Sequence, residues 1–355
     1  MRVVFRVDAS SQIGIGHVMR CLTLAEELRS YGCNVSFVCQ LLVGDMNHYI
    51  ESKGFYVELM TPSVNGWVED ATLTKGYLSS LKHCDWLIVD HYELDKRWEK
   101  EVYSVTENIM VIDDLADRNH VCDLLLDQNF YQNMNARYEG LVPKHCKMLL
   151  GPAHVLLRKE FYGAARRQRV RDGAISNALI FFGGGDGENL TVKAISAIGN
   201  LAVDLNVDVV VGASNPFKND VRSICEDLNM VFHCQTERMS ELINQADICF
   251  GAGGATTWER AVLGLPTITV VCADNQLHTT VDMADINASV YIGLAEDVSE
   301  KLFMETLENL IESSDKVRQL SVNMRQVMGD VGERIESTAV EYLMLCAKEK
   351  REAIR

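Results

Sequence analysis

Positive charge is in short supply in this sequence. Its 355 residues include 34 lysines and arginines against 50 aspartates and glutamates, which gives a formal net charge of −16. Such a balance argues against non-specific binding to nucleic acid or to an anionic membrane surface. Any anionic substrate must therefore be held by local donors and not by the overall field of the protein.

Long apolar runs and targeting signals are missing as well. No apolar stretch approaches the roughly 20 residues that a membrane-spanning helix needs. No basic segment followed by an apolar one opens the chain, because the first predicted strand begins at once. We therefore expect a cytoplasmic protein without integral membrane association.

The eleven cysteines lack the spacing of a metal site. None forms a C-x-x-C pair or a cysteine–histidine cluster of the kind that binds zinc. Several lie within apolar runs, so we expect reduced core residues and not disulfides. Hard oxygen ligands with magnesium-like spacing are not evident either. The sequence predicts no metal and no cofactor.

What the chain does contain is two successive sets of alternating strands and helices. Near-continuous apolar runs separated by helical segments are typical of a parallel sheet covered on both faces. We predict an α/β protein of two doubly wound, Rossmann-like parallel-sheet domains that face a cleft, with C-terminal helices. The expected boundaries are 1–160 for the first domain, 161–175 for a linker with solvated arginines, and 176–355 for the second domain with its helical tail.

The most informative stretch follows the first predicted strand. Gly14 and Gly16 form a turn that can take positive φ and can let a ligand approach the backbone. His17 comes at or near the first helical position, where free N–H groups can bind an anion and the helix dipole disfavours a protonated imidazole. His17 is therefore either a general base or a capping residue, and its position alone favours neither.

A dinucleotide-binding fingerprint fits this stretch poorly. Met19 stands where the third glycine or alanine would be required, and no acid follows about 20 residues further on. Ligands of doubly wound sheets nevertheless bind beyond the carboxyl ends of strands. Asp113 and Asp114 follow one such strand, where aspartates commonly cap helices or make turns. The roles of His91 and Tyr92, which follow another strand, stay open.

The second half has two glycine turns of its own, each before a predicted helix. The second turn exposes backbone amides that suit an anion. Glu259 follows the second turn, where its carboxylate could accept two sugar hydroxyls or could merely stabilise its own helix dipole. Arg158 lies at the expected domain junction, where it could face a cleft or solvent. The turn residues are Gly184 in the first turn and Gly253, Gly254, Ala255 and Thr256 in the second.

A base at one helix start, together with anion-binding amides and an acceptor carboxylate in the other half, suits a sugar nucleotide. Several motifs occur in a fixed order along the chain. They are Phe5-Arg6-x-Asp8, Gly14-Ile15-Gly16-His17-x-x-Arg20, Asp90-His91-Tyr92, Asp113-Asp114, Cys122-Asp123, Tyr138-Glu139-Gly140-Leu141-Val142-Pro143, Leu157-Arg158-x-Glu160-Phe161 and Gly183-Gly184-Gly185-Asp186.

This ordered set closely resembles the UDP-2,4-diacetamido-2,4,6-trideoxy-β-L-altropyranose hydrolase family of pseudaminic acid biosynthesis, which has a GT-B fold. The stretch Gly253-Gly254-Ala255-Thr256-x-x-Glu259, with Gly264-Leu265-Pro266 and Asn275-Gln276, also resembles the nucleotide half of the GT-B transferase that makes peptidoglycan lipid II. The resemblance implies that water attacks the anomeric carbon of a UDP-linked 2,4-diacetamido-trideoxy sugar with inversion. UDP and free sugar are released without a metal.

The resemblance also implies roles for individual residues. His17 would be the base, which favours catalysis over capping. Glu259 would hold the ribose, while Arg158 and the amides after Gly253 would stabilise the leaving diphosphate. The remaining implied substrate contacts are Gly14, Gly16, Tyr92, Gly184, Gly254, Ala255, Thr256, Asn275 and Gln276.

Two other classes of function remain open. A GT-B glycosyltransferase would use the same nucleotide site but would need an acceptor groove, often beside an apolar or basic patch. The acidic composition and the absence of an evident patch of this kind in the first domain count mildly against it. A non-catalytic sugar-nucleotide binding protein would keep Glu259 and the glycine turns but would have no need of His17.

Overall fold

The computed structural model describes residues 1–10, 13–62, 66–167 and 169–353. The chain divides into two compact units. Unit 1 comprises Met1–Asn129, Asn133–Leu156 and Glu336–Arg355, and unit 2 comprises Phe130–Gln132 and Leu157–Ile335. Among the described residues, no helix combines the length and the apolar character needed to cross a membrane.

Unit 1 is built on a sheet of seven parallel strands. The strands are β1 (Arg2–Val7), β2 (Asn34–Gln40), β3 (Tyr56–Met60), β4 (Trp86–Asp90), β5 (Ile109–Ile112), β6 (Leu124–Asp127) and β7 (Lys147–Leu150). Their order is β3-β2-β1-β4-β5-β6-β7. Phe5 of β1 lies between Phe37 of β2 and Ile88 of β4, and all three are fully buried. The sheet is covered by α1 (Gly16–Ser30), α2 (Asn47–Ser52), α3 (Trp67–Ser80) and α4 (Lys96–Val102).

Unit 2 repeats the plan with six parallel strands. They are β8 (Asn177–Phe181), β9 (Asn206–Val211), β10 (Val231–Cys234), β11 (Ile248–Ala252), β12 (Thr267–Val271) and β13 (Val290–Leu294), in the order β10-β9-β8-β11-β12-β13. Its helices are α5 (Lys159–Ala165), α6 (Leu190–Gly199), α7 (Lys218–Asp227), α8 (Met239–Gln245), α9 (Thr256–Val262), α10 (Leu277–Asp285), α11 (Glu300–Ile311) and α12 (Ser314–Met328). The predicted α/β class with two doubly wound parallel sheets is confirmed.

The last helix, α13 (Thr338–Ala353), belongs to unit 1. Ala339, Val340 and Leu343 are fully buried in the core that α1 shares. The backbone N–H of Ser337 donates to Glu27 of α1 at 2.6 Å. The structure therefore differs from the expected boundaries, which assigned the helical tail to the second domain.

The segment expected as a linker is also part of a unit. Its first residues lie in α5, and Arg171 is only 4% exposed. The Arg171 guanidinium donates to the carbonyls of Ile243 and Ala246 near the end of α8 and to that of Leu263 after α9. The expectation of a solvated arginine is wrong here, because orphan carbonyls at helix ends attract a cationic donor.

Candidate functional site

His17 lies at the start of α1, close to the carboxyl end of β1. Gly14 takes a φ of +79°, the positive value for which glycine is suited, and its N–H donates to Ser10 at 2.9 Å. The helix begins at Gly16, so the predicted helix start is confirmed. His17 is the second helical residue and is 7% exposed, although Gly14 and Gly16 beside it are exposed.

The imidazole of His17 is held by Asp90, the last residue of β4. His17 Nδ1 lies 2.5 Å from Asp90 Oδ1. Arg20 Nη2 is also near the same nitrogen, at 3.1 Å, but arginine can only donate. Because the contact with the carboxylate is the shorter one, we assign the proton of a neutral imidazole to Nδ1. Nε2 is then the nitrogen with a free lone pair.

Arg20 binds the same carboxylate with two nitrogens. Its Nε lies 2.5 Å from Asp90 Oδ2, and its Nη2 lies 2.6 Å from Oδ1. Burial alone would raise the pKa of Asp90, but Arg20 and His17 outweigh it and hold this pKa far below its ordinary value. Asp90 is therefore an ionised acceptor that fixes the orientation of the His17 ring.

Tyr92 and Asp114 complete the surroundings of His17. The Tyr92 ring meets the imidazole edge to face, with centroids 4.5 Å apart. Its hydroxyl hydrogen-bonds to Asp114, and burial followed by the charge of Asp114 raises the pKa of Tyr92. Asp114 also accepts from Arg20 Nη1 at 3.0 Å. Asp113 accepts a hydrogen bond from the N–H of Ala116, which is the turn contact expected of an aspartate after a strand. The same expectation for Asp114 did not include its contacts with Arg20 and Tyr92.

His91 has a different partner from His17. Its Nε2 lies 3.3 Å from Asp8, the residue that follows β1. Asp8 in turn accepts from the fully buried Arg6 at 2.8 Å. His91 therefore belongs to a neighbouring buried network, and of the two residues left open by the sequence it is Tyr92 that contacts His17.

In unit 2 the second glycine turn joins β11 to α9 and packs against the start of α10. A Cβ on Gly253 would lie 2.2 Å from Thr280 Oγ1, so only glycine fits there. A Cβ on Gly254 would lie 3.4 Å from the Gln276 amide, whose oxygen accepts from the N–H of Cys272 at 3.0 Å. No side chain caps the start of α9. The turn thus brings together Gly253, Gly254, Ala255, Thr256 and Gln276, with Asn275 beside it in a 3₁₀ segment.

Glu259 and Arg158, to which different substrate roles were assigned, are bonded to each other. Arg158 Nε donates to Glu259 Oε1 at 2.9 Å. Arg158 also lies 3.2 Å from Glu160. The second carboxylate oxygen of Glu259, Oε2, is buried and has no hydrogen-bond partner among the residues that the structure describes. An orphaned buried carboxylate oxygen is costly, and a ligand hydroxyl would satisfy it.

The first glycine turn of unit 2 contains its own anion. The carboxylate of Asp186 accepts from the N–H groups of Leu190 at 2.8 Å and Thr191 at 3.0 Å, which are the first residues of α6. These amides are therefore already satisfied. Gly184, which the resemblance implies as a substrate contact, lies in the turn before Asp186.

A candidate metal centre lies elsewhere in unit 1. Within the ranges that the structure describes, His83, Asp85 and Glu107 are the group of three whose potential ligand atoms lie within 4.8 Å of one another. They precede β4 and β5, whereas Asp90 ends β4, so this group is at the edge of the sheet away from His17. His83 Nε2 lies 3.2 Å from both carboxylates, and an ion pair accounts for the arrangement.

A protein-family model and a curated relative both match this chain. Residues 178–331 match the Glycosyltransferase family 28 C-terminal domain. The chain is 30% identical over 249 residues to UDP-2,4-diacetamido-2,4,6-trideoxy-beta-L-altropyranose hydrolase of Campylobacter jejuni, a match that covers 70% of this chain and 83% of that protein. The chain belongs to the family of this hydrolase.

Two further comparisons concern a more distant relative and the fold. The hydrolase-family chain is 24% identical over 319 residues to the spore coat polysaccharide biosynthesis protein SpsG of Bacillus subtilis, covering 88% of this chain and 90% of that one. The structure of MurG from Acinetobacter baumannii superposes with a TM-score of 0.69 at 16% identity, over 97% of this chain and 99% of that chain. The fold is GT-B.

Three polar residues beside the candidate sites of the two units could not be assigned from the sequence. In unit 1, Arg20 and Asp90 occur only within motifs, although Arg20 is three residues after His17 and shares its helix face. In unit 2, Arg260 has no role in the sequence-based expectations. It is 1% exposed, and its Nη2 donates to the carbonyl of Ala252 at 2.7 Å, beneath the glycine turn of unit 2. A cation within an apolar stretch is the signal that could have found it.

Proposed function

We propose that this protein is a hydrolase that cleaves a UDP-linked 2,4-diacetamido-trideoxy sugar at its anomeric C–O bond, with inversion. The products are UDP and the free sugar, and the free sugar is used in the biosynthesis of pseudaminic or a related nonulosonic acid. The proposal is carried by one observation, the contact of His17 with Asp90 at 2.5 Å at the start of α1, in a chain of this family.

The His17–Asp90 pair suits activation of water. With Nδ1–H directed to Asp90, Nε2 is the nitrogen that takes a proton from the attacking water. Asp90 then stabilises the imidazolium that forms and keeps the ring oriented, as the acid of any base-and-orienter pair does. A positioned general base contributes about 10²–10⁴-fold to rate.

Unit 2 binds the UDP moiety in this proposal. The orphaned Oε2 of Glu259 accepts a ribose hydroxyl, and the nucleotide competes with Arg158 for the other oxygen. The uncapped start of α9, with the buried charge of Arg260 beneath it, stabilises the diphosphate as it leaves. We propose that the helix start and the Arg260 charge together take the place of a metal ion. Asn275 and Gln276 contact the phosphate or the sugar in this proposal.

A GT-B glycosyltransferase is the second candidate, and one observation favours it. Large apolar side chains are exposed in the loops after β1 and β2, where a transferase would receive an acceptor. Ile13, Ile15, Leu41 and Val43 are 41%, 38%, 48% and 86% exposed. The sequence had suggested no such patch, so acceptor dependence must be tested directly.

The test is an incubation of the full chain with the UDP-linked sugar, with and without candidate acceptors and with EDTA. We expect UDP release without acceptor and in the presence of EDTA, and a proton NMR time course that starts from the inverted anomer. The His17→Asn variant keeps a polar tip of similar size but cannot act as a base. We expect its kcat to fall about 10²–10⁴-fold, with near-normal UDP binding.

Each alternative gives a different result in the same experiment. UDP release that requires an acceptor would identify a transferase, and binding without turnover would identify a sugar-nucleotide binding protein. Activity that EDTA abolishes and Mg²⁺ or Mn²⁺ restores would contradict metal independence. A His17→Asn variant with a lower melting temperature but a normal kcat would make His17 a structural residue.

A further inference from the structure

We propose that Asp114 is a positioning residue for the reaction, which acts on His17 through both of the side chains that flank its ring. The inference rests on the proposed function. Asp114 follows β5 and is only 6% exposed. Its carboxylate contacts Arg20 and Tyr92, the two side chains beside the imidazole.

The first arm runs through Arg20. Asp114 Oδ2 accepts from Arg20 Nη1 at 3.0 Å, while Arg20 Nε and Nη2 hold Asp90. Both ends of the guanidinium are therefore fixed, and a planar fork fixed in this way has little freedom to rotate. Asp90, held in two places by Arg20, presents Oδ1 to His17.

The second arm runs through Tyr92. The Tyr92 hydroxyl hydrogen-bonds to Asp114, and the Tyr92 ring lies edge to face against the imidazole with centroids 4.5 Å apart. A phenol anchored at its hydroxyl keeps its ring in one place. His17, Asp90, Arg20, Asp114 and Tyr92 thus form a closed cycle in which Asp114 is the member most distant from the imidazole.

Formal charges give this arrangement a consequence for catalysis. Arg20, Asp90 and Asp114 together carry a net charge of −1 while His17 is neutral, and the cluster becomes neutral when His17 takes the proton of water. Removal of the Asp114 charge would leave Arg20 and Asp90 balanced, and the imidazolium would be uncompensated in a buried site. Asp114 therefore stabilises a charge that develops only during reaction, which affects kcat more than KM.

Asp113 provides a matched control. It is the neighbouring aspartate and is 1% exposed, but it contacts Arg118 at 2.8 Å and the Tyr138 hydroxyl at 3.0 Å instead. Asp113→Asn should report the structural cost of removing a buried charge after β5. Among the hydrogen bonds and ion pairs of the described residues, those of Asp113 are with Ala116, Arg118 and Tyr138 and not with the His17 cluster.

The experiment compares Asp114→Asn, Asp113→Asn, Tyr92→Phe and the double variant Asp114→Asn/Tyr92→Phe in the full chain. Each is measured for kcat, KM, melting temperature and UDP affinity, with kcat normalised to the folded fraction. We expect Asp114→Asn to lower kcat about 10–100-fold with KM changed less than about twofold. Asp113→Asn should keep kcat within about twofold. The double variant should lose less than the product of the two single losses, because the two residues act through one contact.

The outcomes separate this inference from the proposed function. A normal kcat for Asp114→Asn, an equal loss for Asp113→Asn, or losses of Asp114→Asn and Tyr92→Phe that multiply would overturn the role of Asp114. If His17→Asn loses activity while Asp114→Asn keeps it, only this inference fails. If wild type does not turn over the UDP-sugar, or His17→Asn keeps full activity, both fail. Should Asp114→Asn not fold, Tyr92→Phe decides alone, since an unchanged kcat there would refute the second arm.

Discussion

The carboxylate of Glu259 is shared between a protein cation and an oxygen with no partner. Oε1 accepts from Arg158 at 2.9 Å, and Oε2 is buried without a hydrogen bond. An ion pair at a half-buried arginine has limited value, but an unmet buried acceptor is costly. This asymmetry indicates that the Glu259 carboxylate binds a ligand and does not only stabilise the dipole of its own helix.

Glu259→Ala is therefore expected to weaken UDP binding while the fold is kept. The loss of a hydrogen bond to a charged group is worth about 1.5–3 kcal/mol, or roughly a 10–150-fold rise in Kd. Calorimetric titration with UDP measures it. Glu160→Ala is the matched control, since Glu160 is the other carboxylate that pairs with Arg158. Equal effects of the two variants would mean that only the ion pairing of Arg158 matters.

Asp127 is the buried acid at the end of β6. Burial raises its pKa to about 7, Asp114 and Asp113 add to the rise, and the Asn129 N–H and Arg137 oppose it. An unfolded aspartate titrates near 4. Between about pH 4 and 7 the native state therefore holds a proton that the unfolded chain has lost. The free energy of unfolding must fall as pH rises through this window and then level off.

Asp127→Asn should remove this dependence. The variant should gain stability relative to wild type as pH rises from 5 to 8, because a neutral amide does not have to give up a proton. Urea unfolding at the two pH values measures the difference, and titrations of other groups cancel between variant and wild type. A variant with the same relative stability at both pH values would show that Asp127 ionises normally.

The residues of the site could be predicted only in part. His17 and Glu259 lie beside glycine turns that the sequence displays. The partner of His17 could not be predicted, because Asp90 is 73 residues away and several other aspartates also follow strands. Strand order decides which of them is adjacent, and β4 pairs directly with β1.

At the scale of elements, the turn between β11 and α9 is shaped by close packing against α10. The nearest atom to a Cβ on Gly253 would be Thr280 Oγ1 at 2.2 Å, and the Gln276 Cβ would lie 3.4 Å away. A larger residue therefore has to displace the turn or the helix. The glycine turn predicted from the sequence is present, but its close packing against α10 could not be predicted from the sequence.

Gly253→Ala is expected to destabilise the protein by about 1–3 kcal/mol, as overpacking does, and to weaken UDP binding. Thr280→Ala in the same chain should restore part of both, because it removes the clashing hydroxyl. Gly185→Ala is the control, since a Cβ there meets nothing within 4 Å. Urea unfolding and UDP titration are the measurements. If Thr280→Ala restores neither property, the clash is not the cause.

The strands with continuous apolar runs could be predicted, and two others could not. In β13 all five residues from Val290 to Leu294 are only half-buried, and Gly293 interrupts its four apolar residues. In β7 Lys147 and Met148 are exposed. Edge strands such as these are covered on fewer sides, and their sequences carry a weaker signal.

At the scale of the whole molecule, the assignment of α13 to unit 1 could not be predicted from its pattern. An amphipathic helix shows which face is apolar but not which core the face joins. In the structure Ala339, Val340 and Leu343 pack in the core that contains Leu24 and Leu28 of α1. Unit 1 is thus made of chain segments that 179 residues of unit 2, Leu157–Ile335, separate.

Leu343→Ala should destabilise unit 1 by about 2–5 kcal/mol, the usual cost of a cavity in a core. Leu345→Ala is the matched control on the same helix, because Leu345 is 53% exposed. Urea unfolding measures the loss of stability. UDP titration at low urea concentration should show that Leu343→Ala leaves the UDP affinity of unit 2 unchanged. Equal destabilisation by both variants would place α13 outside the core.

The return of α13 to unit 1 imposes an order on synthesis by the ribosome. At an elongation rate of about 5–20 residues per second, the 179 residues of Leu157–Ile335 take about 9–36 s to make. During that time the nascent first sheet has α1 in place but lacks the side chains that finish its core. Unit 2 is contiguous apart from Phe130–Gln132. It can therefore complete its fold before unit 1 does, although most of unit 1 is synthesised earlier. A nonsense mutation just after residue 335 would consequently damage the half of the protein that was translated earliest.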